Sequence, residues 1–133
     1  VQDPKKVGNA MRTVALRITG TEEAKAELAD LGEDVDDFVV QTSAKSQQII
    51  KDYTAVASNG FKGVDILDEN GNFRSTYEIL QDIADVYEEI IATDKQYGTN
   101  RANGLLEVLA GKRNLTGLYS DMQYRSYLIA GNV

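Results

Sequence analysis

The chain is predicted to be mainly α, a compact multi-helix domain of about five helices with one short β-hairpin. Three observations carry that expectation. Apolar residues recur at 3.6-residue spacing over most of the sequence. Gly and Asn fall between these runs, while Pro occurs once, at Pro4. Asn70-Gly71, the dipeptide best suited to a type I′ turn, lies between Val64 and Ile66 on one side and Phe73 on the other.

The first helix opens with Asp3 as N-cap and Pro4 at the first helical position. Val7, Ala10, Met11, Val14, Ala15 and Ile18 line its apolar face, and Gly20 stops it. Thr21 caps a short second helix whose Glu22 and Glu23 sit favourably at the positive end of the peptide dipoles. Ala24, Leu28 and Leu31 form its stripe, with Gly32 as a left-handed cap. Residues 33–41 are acidic, with Val35, Phe38, Val39 and Val40 interspersed, and local pattern leaves their conformation open. A third helix starts near Thr42 or Ser43 and carries Ile49, Tyr53, Val56 and Ala57 on one side before Asn59-Gly60.

In the hairpin, Asn70 and Gly71 as loop residues would pair Asp68 with Phe73, so that Val64, Ile66 and Phe73 share the inward face. Ser75 and Glu78 form a capping box for the clearest helix, striped by Leu80, Ile83, Ala84, Tyr87, Ile90 and Ile91. Residues 93–103 are polar, contain Gly98, and read as a loop. A short helix follows through Leu105, Leu106, Val108 and Leu109 to Gly111. The last runs from Asn114 through Leu115, Leu118, Tyr119, Met122 and Ile129.

A chain of 133 residues suits one domain, and its 42% hydrophobic content is enough for a core. Val1 is not a start methionine, and the chain reads as a single helical domain cut from something longer. Its formal charge of −7 repels phosphate backbones and anionic lipid, and otherwise serves solubility. Absence of Cys excludes disulfides and thiolate metal sites, and absence of His removes the commonest general base and metal ligand. No apolar run approaches the ~20 residues that span a bilayer.

Each chemical motif fails on inspection. Gly104 and Gly111-Lys112-Arg113 suggest a phosphate loop, but six residues separate the glycines instead of four, Arg113 replaces the hydroxyl that binds magnesium, and a helix precedes. Gly111 is better read as a helix end with cations beside the terminal carbonyls. Asp65, Asp68, Asn70 and Asn72 suggest a calcium loop. One starting at Asp68 would need Gly where Phe73 stands and Glu where Ile79 stands. Glu33, Asp34, Asp36 and Asp37 are read as a solvated acidic edge. Most of the seven Tyr are expected on apolar helix faces, without the basic groove that base stacking requires. No catalytic, cofactor-binding or metal-binding residue is assigned.

Three stretches carry a family signal: residues 3–18, beginning Asp3-Pro4-Lys5-Lys6; residues 68–87, with Phe73 followed by Ser75-Thr76-Tyr77 and the long helix; and residues 105–114, with Leu109-Ala110-Gly111-Lys112-Arg113. In this order and spacing they resemble the tail tape measure proteins of long-tailed phages and prophages of Gram-positive bacteria. After Asn114 the sequence departs from that pattern, with Leu115-Thr116-Gly117-Leu118 where an Ala- and Asn-rich helix is usual. The resemblance implies a segment of a very long structural chain that sets tail length during assembly. Its partners would be tail tube subunits, tail assembly chaperones and baseplate proteins, and its location the virion tail, or the bacterial cytoplasm during assembly. The composition is also compatible with a homo-oligomer. The alternative is a generic helical protein–protein interaction module of a bacterial protein. An enzyme, the third class, lacks an active-site constellation to support it.

Overall fold

The computed structural model describes residues 4–111 and 115–129. Asp3, Lys112, Arg113 and Asn114 lie outside the described residues, as do the side chains of Val7, Ala10, Leu115 and Ile129. Six α-helices and one 3-10 turn make up the order: α1 (Pro4–Thr19), α2 (Glu22–Asp30), α3 (Ser43–Thr54), the turn Ala57–Asn59, α4 (Thr76–Tyr97), α5 (Arg101–Ala110) and α6 (Leu115–Ile129).

Local signals place most boundaries. The Thr21, Thr42 and Ser75 hydroxyls each accept from the backbone N–H three residues on, satisfying a donor that the first helical turn leaves free. At Ser75 the return half of the box is absent, because the Glu78 carboxylate faces the Arg74 guanidinium at 3.8 Å. Gly32 closes α2 with φ +81: its N–H donates to Ala29 and that of Glu33 to Leu28. Ala24 and Leu28 are buried as expected, but Leu31, at the cap itself, is 50% exposed.

The helix α4 packs on α1, α3, α5 and α6. Its stripe of Leu80, Ile83, Ala84, Tyr87 and Ile90 is buried, joined by Ile79. Each large apolar side chain so buried contributes about 2 kcal/mol. It also runs further than its stripe, through residues 93–97 that pattern alone assigns to a loop, and ends at Gly98 with φ +68. The connection to α5 is correspondingly short. Its tightness comes from Asp94, whose Oδ1 accepts from the Thr99 hydroxyl (2.6 Å) and Arg101 N (2.9 Å), and Oδ2 from Ala102 N (2.9 Å). Asn100 holds the cap position of α5 without a side-chain bond, so Asp94 caps α5 from the preceding helix.

The expected β-hairpin is not formed: no strand occurs among the described residues, only isolated bridges pairing Val56 with Phe61 and Leu67 with Phe73. Two causes are visible. Within segment 61–67 the N–H groups of Val64, Ile66 and Leu67 go to α3 side chains, and backbone pairing is left to Phe61 with Val56 and to the Arg74 N–H on the Ile66 carbonyl (2.8 Å). Gln47 Oε1 accepts from Ile66 N (2.7 Å) and Leu67 N (3.1 Å), and its amide donates to the Val64 carbonyl. The Thr54 hydroxyl accepts from Val64 N at 2.8 Å. The turn also takes three loop residues, since Asp68 Oδ1 accepts from Asn70 N and Asn72 N, and only Gly71 has positive φ. Leu67 thus pairs with Phe73 in place of Asp68. The one-residue shift turns Phe73 outward, 38% exposed, while Val64 and Ile66 stay buried.

The third helix is also displaced from its expected face. It ends at Thr54, its buried residues are Ser46, Ile50 and Thr54, and Val56 is extended to pair with Phe61 while Ala57 enters the 3-10 turn. In α6, Leu118 and Met122 are buried as expected, but Tyr119 is 47% exposed.

Gly63 tests the seat of segment 61–67 on α3. A Cβ there would lie 2.7 Å from the Lys51 backbone, and its φ is +113. At Gly71 a Cβ would meet nothing within 4 Å. We expect Gly71→Ala to cost about 1–2 kcal/mol from backbone conformation alone. Gly63→Ala should cost about 2–5 kcal/mol, because overpacking adds to strain. Equal denaturant midpoints for the two variants would contradict the seating.

Asp94 gives a pH test. Burial pushes its carboxyl up, but bonds from Thr99, Ala102 and Arg101, with the Arg101 charge, hold it below its ordinary 3.8. A lowered folded value means stability present above the unfolded value and lost as pH falls through the folded one. Asp94→Ala should therefore cost about 1–2 kcal/mol at pH 7 through the lost cap. That difference should narrow as pH falls below the ordinary 3.8 and through the lowered folded value, as the parent carboxyl protonates. A gap that stays constant across that fall in urea titrations would refute the capping role.

Candidate functional site

A cleft of about 510 Å3 lies where the end of α1, residues 37–41, α3 and α5 meet. Its apolar wall is Phe38, Val39, Ile49, Tyr53 and Val108, and its polar groups come from Arg17, Asp37, Gln41 and Glu107. Ile49 and Tyr53, expected in the core, are half-buried here because α3 turns Ile50 inward instead. Gly104 lets α5 approach Tyr53: a Cβ would lie 2.9 Å from the ring.

Arg17 organises the cleft. Its side chain is 8% exposed, and Nη2 donates to Asp37 Oδ1 (3.0 Å) and to the Asp34 carbonyl (3.2 Å). Its guanidinium occupies the space a side chain at Gly111 would need, 2.6 Å from an ideal Cβ. Nε is buried without a hydrogen-bond partner. The guanidinium is thus already paired on its outer edge, and the cleft offers apolar contact and hydrogen bonding around a neutralised ion pair.

The motifs weighed in the sequence take other roles. Gly104 lies inside α5 and Gly111 at its end, so the intervening backbone is helical and its N–H groups cannot cradle a phosphate. Asp65 pairs with Lys51 at 3.2 Å, while Asp68 is consumed by the turn. No group of three acidic residues is placed to hold a metal ion among the described residues. The acidic edge is more than a solvated surface: Asp34 Oδ1 accepts from Asp36 N, and Asp37 and the Asp34 carbonyl bind Arg17. Tyr87 is buried, which pushes its hydroxyl up to about 12, aided by Tyr119, Glu88 and Asp94. Contrary to expectation, Tyr77, Tyr97, Tyr119 and Tyr124 are exposed. Arg125 stacks 5.3 Å above Tyr77 but is paired with Asp121 at 2.7 Å.

A second cavity of about 290 Å3 is lined by Phe61, Arg74, Asp82 and Asp85 among others. Arg74 bridges Asp82 (2.8 Å) and the Asp65 carbonyl (2.6 Å). Burial, reinforced by Asp82, raises the Asp85 carboxyl. Arg17, Gln47 and Arg101 escaped the sequence reading because each acts on a segment at least 17 residues away, which no local pattern marks. Set against family models, curated proteins and solved structures, the chain matches none.

Proposed function

We propose that this domain is a structural segment of a phage tail tape measure chain, acting by association without catalysis. One observation carries the reading. The three stretches that resemble that family are separated in sequence, yet they supply α1, the turn with α4, and α5, which pack on one another. Val14, Ile18, Ile79, Leu80, Ile83, Tyr87, Leu105, Leu106 and Leu109 join one core. The resemblance therefore falls on residues that cooperate in a single folded unit. The charged groups that could serve chemistry are committed to the fold: Asp94 caps α5, Asp37 holds Arg17, and Arg74 bridges Asp65 and Asp82. In this reading the domain is a folded station on the long chain, meeting tube subunits, assembly chaperones or baseplate proteins in the tail or during assembly in the bacterial cytoplasm. The second reading, a helical interaction module of a bacterial protein, draws on the cleft beside Arg17 with its exposed Val39.

The parent reading frame and its neighbours give the first test, since a tape measure chain should be very long and flanked by tail genes. In-frame deletion of the segment, with electron microscopy of tails, gives the second. As a continuous helix the segment would supply about 200 Å at ~1.5 Å per residue. As a folded unit with a radius of gyration near ~14 Å it supplies a few tens of ångströms. We expect the smaller shortening. Loss of tails would support an assembly role, while a shortening near the larger figure would keep the ruler and remove the folded station. Normal tails of unchanged length would sink the proposal in favour of the interaction module.

A further inference from the structure

Residues 21–41 leave the helical body at Gly20 and return at Gln41, where the Gln41 N–H donates to the Gly20 carbonyl at 3.0 Å. The excursion is thus closed at its base. Its apolar side chains form a cluster of their own: Ala24, Leu28 and Phe38, with Val35 and Leu16 of α1 against them, separate from the main core. Its helix α2 packs on α1, while residues 37–41 border the cleft that α3 and α5 also line.

Charge divides along the same boundary. The excursion holds eight acidic residues between Glu22 and Asp37 against Lys25 alone, a net −7. That equals the charge of the whole chain, so the remaining residues balance, thirteen acidic against thirteen basic. Helix α1 carries Lys5, Lys6, Arg12 and Arg17 and no carboxylate. Beside the apolar contact of Leu16, polar ties join the two: Arg12 to Glu27, Arg17 to Asp37 and the Asp34 carbonyl, and the Thr13 hydroxyl to Glu33 at 3.5 Å.

We propose that residues 21–41 are an ionically latched flap, lifting from α1 as one unit while the main core stays folded. Opening frees the already exposed Arg12 from Glu27 and uncovers Thr13, Leu16 and Arg17 of α1, together with one wall of the adjoining cleft. The small cluster holds the flap together internally, and the acidic residues repel one another most strongly when the cations are withdrawn. The inference is independent of the tape measure reading.

Native-state hydrogen exchange on the chain tests it. Amides of α2 and those of Phe38 and Gln41 should share one opening equilibrium, about ten-fold or more faster than that of α4. Arg12→Gln and Glu27→Gln, both at an exposed pair, should each accelerate α2, Phe38 and Gln41 by one common factor of about two to five, with α4 unchanged. Phe38→Ala should accelerate the same amides further and again spare α4. Flap amides that exchange only with global unfolding would overturn the proposal. So would an Arg12→Gln effect confined to α2, or a Phe38→Ala effect that reaches α4 equally.

Discussion

Burial of α5 is the constraint on which the rest of the structure depends. Of its ten residues, Ala102, Leu105, Leu106, Leu109 and Ala110 are buried, and it touches α1, α3, α4 and α6. A helix this short is marginal in water, so it forms only where neighbours cover it. Covering it brings its N-terminus beside the C-terminus of α3, and both ends carry backbone groups without helical partners. Two charged side chains meet that demand. Asp94 accepts the donors at the start of α5, and Arg101 Nη2 donates to the carbonyls of Tyr53 (3.0 Å) and Ala55 (2.5 Å) at the end of α3. Each charge has the sign favoured at the helix end it reaches, the start of α5 for Asp94 and the end of α3 for Arg101, and the opposite sign to that favoured where it sits in its own helix.

The same logic of polar side chains closing backbone runs through the lower half of the molecule. Segment 61–67 must bury Val64 and Ile66, yet it has no strand beside it. Gln47 and Thr54, seven residues apart and therefore on one face of α3, supply the missing ladder. Thr54 also donates to the Ile50 carbonyl at 2.6 Å, so its hydroxyl is used in both directions within a fully buried site. By contrast, residues 21–41 rest on a small cluster and on ion pairs. The core is sealed by buried hydrogen bonds and the excursion by charge, which gives the two parts different strengths.

What could be read in advance follows the range of each interaction. The caps at Thr21 and Ser75, the helix start after Thr42, the Gly32 stop and the α4 stripe apart from the half-buried Ile91 are local, and they stand where pattern puts them. The end of α4 did not show, because residues 93–97 carry no apolar stripe and Asp94 is tied across to Arg101 and Ala102 of α5. The hairpin did not form, because Gln47 and Thr54 of α3 take the backbone of residues 64–67 and the Asp68 carboxylate sets a three-residue turn. The cleft was invisible for a simpler reason: Arg17, Tyr53 and Gly104 belong to three helices, and each looks ordinary within its own. The family resemblance rests on the local stretches and is silent on that junction.

The glycine stops bear on whether such a domain could ever be drawn out along a tube. Gly20, Gly32, Gly60, Gly98 and Gly111 break the chain with φ between +68 and +81. Returning each to the right-handed helix meets no steric barrier, since glycine adopts either hand, and costs about 1 kcal/mol relative to Ala. The stops are thus reversible punctuation. What resists extension is the core, where α5 would expose Leu105, Leu106 and Leu109 and leave the Asp94 and Arg101 contacts unmade. Extension is accessible only if a surrounding wall or neighbouring helices cover that apolar surface in place of α1, α3 and α4. Without such a cover, the folded domain is the lower state, and the flap proposed at residues 21–41 is the part expected to yield first.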